Sequence, residues 1–292
     1  GLSISGCLYE PCFSLITKYR NKKAKNDITK ITLIAGFAST ICFPLTHIIS
    51  NLFNWQVAVV LFGLVVIFIA APMLWIGATL LKKDAHQAPL LEKSTQRTKA
   101  NFLVKNPVFY YLAICFAIFA LVHGASLNHL LSILSERGYT MNIAILAASC
   151  IGPMQVIGRL IMLLSEKYLS TYKFSLFALL GMGISMAILF VSGSSVTLLF
   201  LFILIFGATY GTISVLRPVI VKNLLGFESF GLKSGYLASA YLSGTAIAPY
   251  FGALVWKHFG YQTLILILLI LGIFSWIVYL KANQFTSSKD LS

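Results

Sequence analysis

Three apolar segments of the sequence carry small, polar and ionisable residues at helical spacing. The three stripes are Ser3, Gly6, Glu10, Ser14 and Thr17; Ser149, Gly152, Gln155 and Arg159; and Gly207, Tyr210, Ser214 and Arg217. Residues spaced three and four apart lie on one face of an α-helix. Small residues on such a face let helices pack closely, whereas glutamine, tyrosine and ionisable side chains favour a water-lined cavity. Both interpretations stay open, and the cavity accounts better for the ionisable members.

The acidic member of these stripes is Glu10, in the segment GLSISGCLYEPCFSL. An ionised carboxylate inside a membrane is costly unless it is paired with a cation or takes up a proton. Pro11 removes the backbone hydrogen bond to the carbonyl of Cys7 and bends a helix at that point. We therefore predict a proton or substrate site at Glu10, with a hydrogen-bonded packing role as the alternative.

Five further residues are candidates, three for the pathway of a substrate or proton and two for a cytoplasmic gate. An unperturbed imidazole titrates near neutral pH, which makes His123 a candidate for the proton pathway, although a hydrogen-bonded core histidine is the simpler interpretation. Gln155 and Tyr210 lie on the stripes and are predicted to contact a solute, against a plain packing role. Arg159 and Arg217 lie at predicted cytoplasmic helix ends, where arginine snorkels or forms the salt bridges of a gate.

The composition excludes a soluble protein. Of 292 residues, 58% are hydrophobic and only 10% are charged, too few to cover the surface of a soluble fold of this size. Nine apolar runs have the length of a membrane-spanning helix rather than of a barrel strand. These runs are 1–17, 31–49, 56–80, 107–128, 142–164, 172–192, 196–216, 231–254 and 261–280. The fold class is thus an all-α polytopic membrane protein.

The basic residues indicate the orientation of these helices. Twenty of the 22 lysines and arginines fall in alternate loops, and only Arg137 and Lys257 fall in the intervening loops. Because basic residues are enriched in cytoplasmic loops, the larger set is predicted to be cytoplasmic, together with Ser292. The net charge of +14 then reflects topology and contact with anionic lipid headgroups, and we expect no nucleic-acid partner. We predict a multi-pass protein of the cell (inner) membrane.

The longest hydrophilic segment, 82–105, is predicted to be a cytoplasmic linker. It would join a partial N-terminal lobe of three helices (1–81) to a six-helix lobe (106–281), followed by a cytoplasmic tail (282–292). The six helices divide three and three around a short outer turn at 193–195. Repeated triples of helices around a shared cavity are typical of secondary transporters.

Two segments carry a resemblance to a known family. They are IGPMQVIGRLIMLLSEKYL (151–169), which is similar to a Q-x-x-G-R signature, and GATYGTISVLRPVIVKNLLGFESFGLKSGYL (207–237). The chain resembles the major facilitator superfamily, and within it the monocarboxylate-porter-like and oxalate/formate-antiporter-like branches. The likeness covers the whole chain and begins at the family's fourth helix. It implies a two-lobe helix bundle with nine of twelve transmembrane helices present and three more before Gly1.

The sequence departs from the family at one point of its loop motif. The acidic residue of the full motif has no counterpart beside Gly158 and Arg159, where Val156 and Ile157 stand. The copy of the motif that is normally strongest lies in the part of the family fold that would precede Gly1.

The resemblance implies a secondary active transporter that moves a small solute by alternating access. The implied cargo is a carboxylic-acid metabolite carried with protons; the alternative is a drug or metabolite exporter of the same fold, and a channel or receptor has less support. The sequence has no GxSxG, Walker or HExxH motif, so we expect no enzyme, cofactor or metal site. The expected partners are the solute, the proton and the lipid bilayer, around a monomer.

A cysteine introduced at Thr95 tests the orientation. Because 82–105 is predicted to be cytoplasmic, Thr95→Cys should resist a membrane-impermeant thiol reagent that is added to intact cells. The extent of labelling is measured on the protein recovered from those cells. Ready labelling from outside would reverse the orientation and every side assignment that depends on it.

Overall fold

The computed structural model of the protein describes residues 52–85, 106–165, 168–226 and 230–287, with a few positions before residue 52. Regular secondary structure in these residues is helical throughout. The chain divides into two compact units, Gly1–Gln96 and Arg97–Ser292. The predicted spans 1–17 and 31–49 lie largely outside the described residues, and Glu10 lies entirely outside them.

The first unit contains one long apolar helix, made of α1 (Trp55–Val65), a π-helical turn (Val66–Ala70) and α2 (Ala71–Ala85). α1 begins where the Asn54 side chain accepts a hydrogen bond from the backbone N–H of Val57 at 2.9 Å, as N-terminal caps do. The π-helical turn ends two residues before Pro72, which has no N–H to donate to the carbonyl four residues earlier, inside that turn. The stretch Trp55–Leu80 is long and apolar enough to cross a membrane, in agreement with the predicted span.

The second unit consists of α3 (Pro107–Glu136), α4 (Met141–Ser165), α5 (Thr171–Val191), α6 (Val196–Leu225) and α7 (Phe230–Ser287). α7 turns at Gly260, whose φ of 78° is a left-handed conformation that glycine adopts without strain. We name its two parts α7a (230–259) and α7b (261–287). With α7 counted once, the described residues contain six helices long and apolar enough to cross a membrane. The chain therefore has the make-up of a polytopic membrane protein.

Several helices are longer than predicted, and α3 and α6 show the largest extensions. α3 continues to Glu136 and α6 to Leu225, about two turns beyond the ends of the predicted spans. The prediction followed hydropathy, which falls where a helix leaves the apolar region, while backbone hydrogen bonding continues through polar residues. The helices end at Gly138 and Gly226, with φ of 82° and 76°, because a left-handed glycine terminates a helix.

The helices of the second unit form two triples, α3–α4–α5 and α6–α7a–α7b, with a symmetric contact pattern. α3 packs on α7, α4 packs on α6, and α5 packs on both α6 and α7. The two triples can be exchanged: α3 then takes the place of α6, α4 that of α7a, and α5 that of α7b, and the reverse. This exchange leaves the set of helix–helix contacts unchanged. The second helix of each triple also contains an internal proline, Pro153 in α4 and Pro249 in α7a.

Individual contacts follow the same pairing. α3 meets α7a at Gly124, where an added Cβ would lie 2.8 Å from the Cβ of Ala248. α3 also meets α7b through the side chains of Cys115 and Ser275, 3.4 Å apart. The triples meet again at α5 and α7b, where a Cβ on Gly272 would lie 3.2 Å from the Cα of Gly183. Helices in a membrane associate mainly through such close packing.

Arg137, directly after α3, ties together the ends of two other helices. At the end of α5 its guanidinium donates to the carbonyls of Leu189 and Phe190 and, at 2.7 Å, to the hydroxyl of Ser192. It also donates to Oε1 of Gln262 on α7b at 2.8 Å. The last carbonyls of a helix lack intrahelical donors and carry partial negative charge. Arg137 therefore caps α5 and joins the two triples at this end of the unit.

We expect Arg137→Gln to lower the free energy of unfolding by about 2 kcal/mol, because hydrogen bonds from a charged donor each contribute about 1.5–3 kcal/mol. The measurement is thermal unfolding of the purified protein in detergent. Lys257→Gln is the matched control, since it removes an equal charge from an exposed residue of α7a. Equal losses of stability in the two variants would contradict the role of Arg137 in capping α5 and joining the triples.

Candidate functional site

The sequence candidates gather along one stretch of α6. Tyr210 and Arg217 belong to α6 itself, and Gln155 and Arg159 lie on α4, which packs against it. His123 reaches the same stretch from α3 through a ring contact with Tyr210. The candidates that the structure describes therefore form one cluster within the second unit.

Four rings from α3 and α6 form a stack that we name the aromatic ladder: Phe206, His123, Tyr210 and Phe119. The imidazole of His123 lies 3.5 Å from the ring of Tyr210, centroid to centroid, with 7° between the planes. The same imidazole lies 5.0 Å from the ring of Phe206, at 10°. Phe119 is parallel to Tyr210 at 6.4 Å. Since the backbones of α3 and α6 approach each other at few positions, these rings fill the space between the two helices.

His123 is buried without a complete set of hydrogen bonds. Its side chain is 7% exposed, and its Nε2 has no hydrogen-bond partner among the described residues. Leaving a buried polar atom unsatisfied costs about 1–3 kcal/mol, so such atoms point to a function or to a missing partner. The described residues supply no partner for Nε2, and both interpretations of His123, a pathway residue and a core histidine, stay open.

The backbones of α4 and α6 touch where each helix carries glycine. A Cβ on Gly158 would lie 2.6 Å from the Cα of Ala208, and a Cβ on Gly211 would lie 2.7 Å from the Cα of Gln155. Non-bonded carbon atoms need about 3.5–4.0 Å. The small residues of these two stripes therefore form a packing seam, the interpretation that the sequence favoured less. Gln155 is held in this seam and is only 8% exposed.

Arg159 is buried in the same seam, with 8% of its surface exposed. Its Nε donates to the carbonyl of Gly211 at 3.2 Å, and its guanidinium also donates to the hydroxyl of Ser214 at 3.3 Å. The hydroxyl of Ser214 donates in turn to the same Gly211 carbonyl at 2.7 Å. One turn of α6 thus holds the guanidinium inside the helix bundle, where a charge needs several hydrogen bonds to be tolerated.

Arg217 contacts a tyrosine that the sequence analysis missed. Its Cζ lies 4.1 Å from the ring centroid of Tyr241 on α7a, within the range of a cation–π interaction. The hydroxyl of Tyr241 donates to the hydroxyl of Tyr210 at 3.3 Å. Tyr241 therefore joins Arg217 to the aromatic ladder. Its only sequence signal was its place in the small-residue stretch GYLASAYLSGTA.

The cluster contains groups suited to binding an anionic solute. Guanidinium groups match the geometry of a carboxylate, and the imidazole and the two tyrosine hydroxyls add hydrogen-bonding capacity. In the part of the chain that the structure describes, no group of three or more His, Cys, Asp and Glu side chains could hold a metal ion. The groups that the described residues bring together thus offer positive charge and hydrogen-bonding capacity.

No protein-family model and no curated protein matches the chain. The features of the chain that bear on its function are therefore the helix pairing of the second unit and the cluster around α6.

The α4–α6 seam predicts opposite effects for two glycine substitutions. Gly211→Ala should lower the free energy of unfolding by about 1–3 kcal/mol, because the new methyl group overlaps the backbone of Gln155. Gly235→Ala is the control: it lies within α7a, where an added Cβ meets nothing within 4 Å, and alanine should stabilise the helix by about 0.5–1 kcal/mol. Thermal unfolding measures both. A Gly211→Ala variant as stable as the control would contradict the seam.

Proposed function

We propose that the protein is a secondary active transporter that moves a small solute by alternating access. The observation that carries the proposal is the contact pattern of the second unit, which is unchanged when its two triples of helices are exchanged. Internal repeats of this kind are a recurring feature of transporter folds.

The odd number of helices in each triple determines how the two triples are oriented relative to each other in a membrane. If every helix crosses the membrane, three crossings bring the chain to the opposite side, so the second triple runs inverted relative to the first. Inverted repeats allow one packing arrangement to open toward either side of the membrane in turn.

The crossing of α3 and α6 supports a solute site at the centre of the repeat. These two helices are each other's equivalents, and the aromatic ladder occupies the space between them. A seam held by backbone contact cannot open without separating two helices, whereas stacked side chains move by changing rotamers. The ladder is therefore the place where a path could open while the seams stay closed.

The proposed cargo is a carboxylic-acid metabolite moved together with protons. The guanidinium groups of Arg159 and Arg217 would attract a carboxylate, and His123 offers a nitrogen that accepts or releases a proton. Gln155 and Tyr210 would contribute hydrogen bonds. In this proposal Arg159 and Arg217 serve both as contacts for the anion and as the cytoplasmic gate, and Glu10 belongs to the proton pathway.

The proposal extends to the whole architecture through the resemblance to the major facilitator superfamily. The chain would supply nine of twelve helices in two lobes, and residues 106–281 would form the C-terminal lobe. The protein would be a monomer of the inner membrane with its C-terminus in the cytoplasm.

Uptake into vesicles tests the proposal. The full-length protein is reconstituted, an inward proton gradient is imposed, and uptake of a panel of radiolabelled mono- and dicarboxylates is measured. We expect saturable accumulation of at least one acid above its equilibrium level. Arg217→Gln should reduce uptake about tenfold or more, as loss of a charged contact to the solute would. Lys173→Gln, which removes an exposed charge at the start of α5, should leave uptake unchanged.

Two results would contradict this assignment. Non-saturating flux that only follows the concentration gradient would indicate a channel. Extrusion of hydrophobic dyes without accumulation of any acid would indicate an exporter and remove the carboxylate from the proposal.

A further inference from the structure

Tyr241 makes two different contacts with two different residues of α6. Its hydroxyl donates to the hydroxyl of Tyr210 at 3.3 Å, and the face of its ring lies 4.1 Å from the Cζ of Arg217. Tyr210 and Arg217 are seven residues apart, which is about 10 Å along a helix. Tyr241 spans this interval from a neighbouring helix.

The link to Tyr210 leads directly to the ladder. The ring of Tyr210 lies face to face with the imidazole of His123 at 3.5 Å, and Nε2 of that imidazole lacks a hydrogen-bond partner among the described residues. A solute or proton that engages Nε2 would move the imidazole, and the stacked ring of Tyr210 would have to follow. The hydroxyl of Tyr210 would then change its position relative to Tyr241.

We propose that Tyr241 is a positioning residue that couples the His123 end of the aromatic ladder to Arg217. The ring of tyrosine is rigid, so its hydroxyl cannot follow Tyr210 without turning the face that lies under Arg217. The hydrogen bond is directional, and the cation–π contact depends on the guanidinium staying over the ring face. The inference rests on the proposed function, because it joins the solute site to the gate.

A substitution at Arg217 and a spectroscopic readout at His123 test the coupling. Arg217→Lys keeps the positive charge but loses the planar guanidinium that lies over the ring, so long-range electrostatics at His123 stay nearly constant. The protein is labelled with ¹⁵N-histidine in detergent, at one fixed pH. The imidazole signals of His123 are assigned by their loss in His123→Gln. We expect the Arg217→Lys substitution, made alone, to shift the ¹⁵N signals of the His123 imidazole.

The shift should depend on the hydroxyl of Tyr241. In a Tyr241→Phe background, which keeps the ring under residue 217 but removes the bond to Tyr210, the shift caused by Arg217→Lys should be lost. Tyr236→Phe is the matched control. It removes a hydroxyl from the same helix, where the ring of Tyr236 packs edge-on against Phe109 at 6.4 Å, and the shift should persist.

Each alternative outcome overturns the inference. An equal shift with and without the Tyr241→Phe substitution would mean that the effect reaches His123 by another route. If Arg217→Lys made alone causes no shift of the His123 signals, Arg217 and His123 are not coupled. If Tyr241→Phe fails to fold, Tyr210→Phe breaks the same hydroxyl pair from the other side and should abolish the shift in the same way.

The readout needs no substrate, so its failure is distinct from that of the proposed function. Coupling observed in a protein that moves no solute would leave the link from Arg217 to His123 standing and remove the transporter, and with it the role of that link in joining a solute site to a gate. Solute uptake without coupling would do the reverse.

Discussion

The glycine contact between α4 and α6 is the constraint on which the candidate site depends. Between helices in lipid there is little hydrophobic driving force, so association rests on close packing. Because Gly158 and Gly211 have no side chains, the two backbones approach closely enough for Arg159 to reach the Gly211 carbonyl at 3.2 Å. At the spacing of an ordinary helix pair the same guanidinium would lose this acceptor, and a buried charge needs its hydrogen bonds to be tolerated.

The equivalent pair, α3 and α7a, is held in the same way. At Gly244 an added Cβ would run into the backbone of Ala117, and at Gly252 it would run into the ring of His129. Two tight seams therefore fix four helices in two pairs, and α3 and α6, one from each pair, face each other through side chains. The stiffness of the unit is thus uneven: backbone contacts hold each pair, while rotatable rings fill the interval between the pairs.

The sequence predicted those features of the site that are local to one helix. The spacing of Gln155 with Arg159, and of Tyr210 with Arg217, was enough to place each pair on one face, because helical geometry is independent of the partner helix. The aromatic ladder and the contact of Tyr241 were not predictable, since they depend on which helices become neighbours across many residues. Helix ends were misplaced because glycine conformation, rather than hydropathy, ends α3 and α6. Glu10 remains a prediction.

The ladder also explains how an unsatisfied histidine can be tolerated at the centre of the unit. Stacking satisfies the faces of the imidazole of His123 but not its edge, where Nε2 lacks a partner among the described residues. The ring is therefore held in place while one nitrogen keeps its full capacity for a hydrogen bond. A partner that satisfied this nitrogen in only one conformation would recover about 1–3 kcal/mol, enough to shift a two-state balance about 5–150-fold. An atom whose missing hydrogen bond destabilises the structure is thus also one through which a bound solute or proton could change the conformation.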